Sequence, residues 1–138
     1  MNITARITAT VAATVAAADV AVVPSIYEPF GFVALEAMAL GSPLVAARTG
    51  GLAEIVEEGR TGWLFTPGDP SSLAAVVGEV LAHPREARAR VAAARGALDD
   101  RFGWSMIADR TDSVYRSVAG GEVRAEGPAR RAGRRRVG

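Results

Sequence analysis

Cysteine is absent from the 138 residues, and so is lysine: all sixteen basic side chains are arginine. The first absence removes disulfides and thiolate metal sites and says nothing about compartment. The second reads as a nucleotide-composition habit of the source genome. A single histidine, His83, sits next to Pro84 where an exposed helix end is expected, and with no second His or any Cys it has no zinc ligand set to join. Long apolar runs are missing too, and none reaches the length needed to span a bilayer. The stretch Ala9–Ala18 is nearly all Ala, Val and Thr, follows Arg6 and contains Ala16-Ala17-Ala18, which imitates a signal peptide. Asp19 interrupts it and Val20–Val23 continues as a strand, so a cytoplasmic protein without membrane association is the expectation.

What is present suits one domain with a real core: 49% hydrophobic residues and a net charge of +1. The charge is uneven. Up to Ala119 there are 10 Arg against 13 Asp and Glu, and from Gly120 onward 6 Arg against 2 Glu. The first part is mildly acidic, which argues against a nucleic-acid footprint. Residues 120–138 are rich in Gly, Arg, Glu and Pro with few apolar side chains, and read as a disordered tail after a domain over 1–119. The arginines at 134–136 read as solvated.

Periodicity and punctuation organise the domain. Ile7, Val11 and Val15 share one face of a helix over 3–18. Val20–Pro24 is apolar without alternation, as in a strand covered on both faces. Phe32–Leu40 is a helix closed by Gly41 with Pro43 soon after. Leu44–Ala47 is a second strand, Thr49-Gly50-Gly51 a turn, Leu52–Glu58 a short helix, and Gly62–Thr66 a third strand. Asp69 and Pro70 introduce a helix over Ser71–Ala82, and Pro84 opens another over Arg85–Leu98. Phe102-Gly103-Trp104-Ser105 breaks the chain, with Ser105 as cap for Met106–Val118. Alternating strands and helices with short loops predict an α/β fold, a partial Rossmann-like parallel sheet flanked by helices. Trp63, Trp104 and Tyr115 are expected in cores. Ligands of such sheets sit beyond the carboxyl ends of the strands, which makes the loops at 25–31 and 48–51 neighbours on one rim.

The residues on that rim carry the functional signal. Asp19–Ser25 runs as a strand into Glu28-Pro29-Phe30-Gly31-Phe32-Val33-Ala34-Leu35-Glu36, a Pro/Gly turn and a helix start with a carboxylate on each side. Free amides and peptide dipoles at a helix start favour a phosphate. Glu36, four residues into the helix, tilts back toward its mouth. Taken alone, Glu36 reads as a solvated helix residue and Glu28 as a turn residue; it is their joint setting that points to a ligand. Thr49-Gly50-Gly51 fits either a turn needing unusual backbone angles or a close approach of backbone to ligand. Glu54 fits as charge compensation in the first turn of its helix.

From Asp19 to Phe65 the sequence closely resembles the nucleotide-sugar-binding half of retaining glycosyltransferases of family 4, which have the two-domain GT-B fold. The resemblance rests on Pro24-Ser25, Glu28-Pro29-Phe30-Gly31, the glutamates Glu28 and Glu36 separated by seven residues, Leu35-Glu36-Ala37-Met38-Ala39 and Gly50-Gly51-Leu52-Ala53-Glu54. It extends roughly from Ala9 to Ala119, and Arg48-Thr49-Gly50-Gly51-Leu52 resembles members that build glycogen-like α-glucans. It implies that Glu28 touches donor-sugar hydroxyls near the reacting carbon, as a positioning and charge-stabilising residue at the catalytic centre. Amides of Gly31, Phe32 and Val33 in the Phe30–Val33 turn then hold the diphosphate, Glu36 takes the ribose hydroxyls, and Thr49 and Gly50 lie beside the donor. The implied partners are a UDP-, ADP- or GDP-sugar and a glycan or lipid acceptor, with no cofactor and no metal; Asp99-Asp100 lacks the intervening residue of metal-dependent sugar transferases.

Two things the resemblance calls for are not found. The basic side chains completing a diphosphate clamp come in the family from an earlier segment, and Arg6 and Arg48 are the nearest candidates here. The acceptor domain and the first strands of the donor domain are also absent, so the chain is expected to be incomplete, weakly active or inactive alone, and poorly soluble. An inactive remnant that binds nucleotide or a partner through its exposed edge is the alternative reading. A GT-B isomerase acting on a nucleotide amino sugar ranks behind it. A glycoside hydrolase, the other user of paired carboxylates, has no need of a phosphate-binding helix mouth.

Overall fold

The computed structural model describes the backbone of residues 3–120 and the side chains of residues 9–119. The segment read as a disordered tail therefore lies, beyond Gly120, outside the described residues, as does the Arg6 side chain. Among the described residues the elements run α1 (Ile3–Ala16), β1 (Ala21–Val23), α2 (Phe32–Leu40), β2 (Leu44–Ala47), α3 (Gly50–Ile55), β3 (Trp63–Phe65), α4 (Pro70–Ala82), α5 (Pro84–Phe102) and α6 (Trp104–Gly120). They form two units, one ending at Gly103 and one beginning at Trp104.

In the first unit the strands lie parallel in the order β1-β2-β3, with Val22 beside Val45 and Ala46 beside Leu64. Each crossover carries a helix, as parallel connections require. All four residues of β2 and all three of β3 are buried, which is why both read as unbroken apolar runs. α1 and α5 pack on α2, α3 on β2, and α4 on β3. Among the described residues β1 is the other edge of the sheet, and Val22 there stays 37% exposed. It opens onto a groove of about 750 Å³ between α1, β1 and α2, lined by Val11, Val15, Val20, Val33 and Glu36 among others.

Local chemistry explains the boundaries. Gly41 ends α2 at φ 82°, a left-handed conformation open to glycine, and its N–H reaches the carbonyls of Ala37 and Met38. Arg95 of α5 donates to the Leu40 carbonyl (3.3 Å) and so seals that helix end from another element. Asp69 caps α4 by accepting from the N–H groups of Ser71 (2.8 Å) and Ser72 (3.1 Å), with Pro70 at the first helical position. Three expectations are corrected. α3 begins at Gly50 rather than Leu52 and stops at Ile55, because the Gly-Gly pair joins the helix instead of preceding it. Glu54 consequently sits in the last turn, where an acidic side chain gains nothing from the dipole. The break after α5 narrows to Gly103, so Ser105 lies inside α6 and does not cap it.

Arg101, at the end of α5, ties that helix to the end of α3. Its guanidinium donates to the Glu54 carbonyl (2.9 Å) and to the Glu57 carboxylate (3.0 Å), and Glu57 is also paired with Arg60. The hydrogen bond from Arg60, with the charges of Arg60 and Arg101, holds the Glu57 carboxyl below its ordinary value of 4.5. A group depressed on folding stabilises above its unfolded value and loses that contribution as pH falls through the folded one. Urea unfolding should therefore show Glu57→Gln less stable than the parent at pH 7, with the gap closing progressively below about pH 4.5. A gap that is constant across that range rules out the ionic contribution.

The second unit is described through α6 alone. Arg116 and Asp112 pair one turn apart (2.6 Å) on its surface. Trp104 is 85% and Tyr115 71% exposed, which corrects their expected place in a core. The physical reason is simple: one helix can display an apolar stripe but has no interior in which to bury it.

Candidate functional site

The rim at the carboxyl ends of β1 and β2 brings the 24–31 and 48–51 segments together. Thr49 Oγ1 donates to the Ile26 carbonyl (3.1 Å), and the Gly51 N–H donates to the Glu28 carbonyl (2.8 Å). The fit is tight: a Cβ on Gly50 would lie 2.2 Å from the Glu28 carbonyl oxygen, and one on Gly51 would lie 2.6 Å from that of Phe30. Gly50 also adopts φ 44°. The two glycines thus face the backbone of the neighbouring turn.

Gly31 precedes α2 at φ 83°, where a Cβ would meet Ile55 Cδ1 at 2.8 Å. Its carbonyl accepts from Ala34 (3.0 Å) and Leu35 (3.2 Å), so the helix starts cleanly behind it. Its N–H donates to Glu28 Oε1 (3.1 Å), while Ser25 Oγ approaches Glu28 Oε2 at 3.4 Å. Glu28 is thereby half-buried and held at both oxygens. The next two N–H groups, Phe32 and Val33, have no acceptor among the described residues. They are the orphan donors that every helix start leaves.

Glu36 is exposed and lies on the side of α2 facing the α1–β1 groove. Phe30 and Phe32 are exposed, with ring centroids 5.9 Å apart, and Tyr27 is exposed beside them, leaving an apolar lip at the helix mouth. Arg48, one of the two sequence candidates for a basic clamp, is engaged elsewhere. Its Nη2 donates to Glu58 Oε2 (2.9 Å), which also accepts the Leu64 N–H (2.9 Å). His83 is exposed at the α4–α5 junction, with Nδ1 2.9 Å from the Glu79 carbonyl oxygen. Among the described residues no group of three or more His, Asp or Glu is placed to hold a metal ion, and no helix is long and apolar enough to cross a membrane.

Sequence reasoning missed Ser25 as a partner of Glu28, although their three-residue spacing is that of a local side-chain turn. It also missed that the Gly31 N–H is already bonded to Glu28.

Comparison with known proteins agrees with this architecture. A family model described as glycosyl transferases group 1 matches residues 3–96. Glycogen synthase of Mycobacterium tuberculosis is 50% identical over 105 residues, covering 76% of this chain and 25% of that protein. Among solved structures, sucrose-phosphate synthase from Thermosynechococcus elongatus is similar at 40% identity with a TM-score of 0.74, over 82% of this chain and 28% of the other. Anabaena HepE in complex with UDP is similar at 33% identity and a TM-score of 0.71, over 75% and 29%; HepE structures also hold UDP with glucose, and UDP-glucose. The chain thus spans about a quarter of the length of the relatives it matches. These neighbours are GT-B glycosyltransferases, and with a match across residues 3–96 the chain belongs to the group 1 glycosyl transferases.

Proposed function

We propose that this chain supplies the donor-binding part of a cytoplasmic, family 4 glycosyltransferase that moves a sugar from a nucleotide diphosphate to an acceptor with retention of configuration. The observation that carries the reading is the pair of N–H groups at Phe32 and Val33 without an acceptor among the described residues, next to the Gly31 N–H that Glu28 accepts and on the helix that carries Glu36. In this reading the two amides and the α2 dipole take diphosphate oxygens and stabilise the charge that grows on the leaving group, preorganised before reaction. The Gly31 N–H joins them when its bond to Glu28 is exchanged for a phosphate oxygen. Glu28 addresses the sugar near its reacting carbon, and Glu36 accepts from the ribose hydroxyls. Gly50 and the backbone of Thr49 border the donor along the rim. Relatives whose structures hold UDP and UDP-glucose support a nucleotide-sugar ligand.

Calorimetry on the full chain with UDP, ADP and GDP tests this. Micromolar to millimolar binding of one nucleotide is expected, with Glu36→Ala weakening it roughly 10- to 100-fold, the range for lost hydrogen bonds to a charged group. An unchanged affinity in Glu36→Ala removes the ribose assignment. A remnant that binds nucleotide without transfer is the alternative reading. Release of glucose or its transfer from UDP-glucose by the purified chain would exclude the remnant.

A further inference from the structure

We propose that Thr49 is a positioning residue for Glu28: it acts on the donor through the Ile26–Glu28 turn, and its side chain does not touch the donor. The inference rests on the donor-binding reading for what Glu28 does, but its structural part stands on independent contacts. Thr49 is the residue before α3, in extended conformation at φ −145° and ψ 144°. A threonine in that place ordinarily turns its hydroxyl onto an N–H of its own helix. Here it makes no such cap and donates across the rim to the Ile26 carbonyl, 23 residues away in sequence.

The Gly51 N–H adds a second bond, to the Glu28 carbonyl at 2.8 Å. Both bonds hold main-chain oxygens, at Ile26 and Glu28, leaving the Glu28 carboxylate to the Ser25 hydroxyl and the Gly31 N–H. The carboxylate is thus fixed from inside its own turn, and the turn is fixed from outside by Thr49 and Gly51. Gly50 and Gly51 are glycines because the Glu28 and Phe30 backbones occupy the space of a Cβ, a demand that needs no ligand.

The test uses the full chain, ¹⁵N-labelled. Thr49→Val should lower amide hydrogen-exchange protection at Gly31 and Gly51 roughly three- to tenfold, the range of one lost hydrogen bond, with Val45 and Ala46 unchanged. Thr49→Ser, which keeps the hydroxyl, should restore both. Calorimetry on the same proteins should show Thr49→Val losing the affinity advantage of UDP-glucose over UDP while UDP itself changes by less than about twofold, with Thr49→Ser again restoring it. Unchanged protection at Gly31 and Gly51 in Thr49→Val overturns the proposal, as does an equal loss of UDP and UDP-glucose. If the parent chain binds none of UDP, ADP and GDP, the donor reading fails, and hydrogen exchange still decides whether Thr49 sets the Glu28 turn.

Discussion

Trp63→Ala should leave little or no folded protein at 25 °C. The indole is 2% exposed at the start of β3, and truncating a buried tryptophan costs about 3–5 kcal/mol. Two further losses accompany it. The ring's Nε1 donates to Glu79 Oε1 of α4 (3.0 Å), and the Arg90 guanidinium of α5 lies 3.9 Å over the ring centroid. A desolvated cation–π contact contributes up to about 2 kcal/mol. Arg90 is itself mostly buried, bonded to the Gly62 carbonyl (2.9 Å) and paired with Glu86, and its Nε has no partner among the described residues. Without the indole that cation faces a cavity. Domains of this size are stable by only about 5–15 kcal/mol, so the combined loss takes most of the margin. Urea titration followed by circular dichroism should show no native baseline for Trp63→Ala. Trp63→Phe, which keeps a ring face under Arg90 but not the bond to Glu79, should fall between it and the parent. If Trp63→Ala unfolds within about 1 kcal/mol of the parent, the cluster of two helices and one strand is not what secures β3.

Such clusters mark the limit of what the sequence made legible. α2 and β2 match their sequence-read bounds because their signals are local: Gly31 and Gly41 at the two helix ends, Pro43, then four apolar residues with both faces covered. The rim was legible too, since parallel alternation places the loops after β1 and β2 side by side. α3 was misplaced because a Gly-Gly pair signals a turn on propensity, and only the steric demand of the Glu28–Phe30 backbone explains its use in a helix. The bonds from the Thr49 hydroxyl to Ile26 and from the Gly51 N–H to Glu28 leave no period or spacing to read, because they reach backbone carbonyls more than twenty residues away. Trp104 and Tyr115 read as core residues from their chemistry alone, whereas α6 leaves both exposed. The carboxylates Glu28 and Glu36 stand out by their setting at a helix mouth, whereas the Ser25 hydroxyl and the Gly31 N–H that orient Glu28 carry no distinctive residue pattern.

The sharpest consequence of the rim's packing concerns Gly51. Its backbone angles are ordinary, so an alanine there suffers no conformational strain of its own. The difficulty is space: the added Cβ would sit 2.6 Å from the Phe30 oxygen, 2.7 Å from its carbonyl carbon and 2.9 Å from its Cα. All three are backbone atoms, so no rotamer relieves the clash and the two turns must part by several tenths of an ångström or more. Overpacking of this kind costs about 1–3 kcal/mol. The larger effect is on ligand geometry. Parting the turns weakens the Gly51–Glu28 bond and shifts Glu28, Gly31 and the Phe32 amide together, and a misplacement near 1 Å can cost about a hundredfold in a positioned site. Gly51→Ala should therefore stay folded, unfold at lower urea, and bind UDP-glucose roughly 10- to 100-fold more weakly by calorimetry. Gly78→Ala is the matched control: it lies within α4 with open space around the new Cβ, and should gain about 0.5–1 kcal/mol with unaltered binding. If Gly51→Ala binds UDP-glucose as tightly as the parent, the seat between the two turns does not set the position of Glu28. If both substitutions weaken binding alike, the loss reflects general disturbance of the fold.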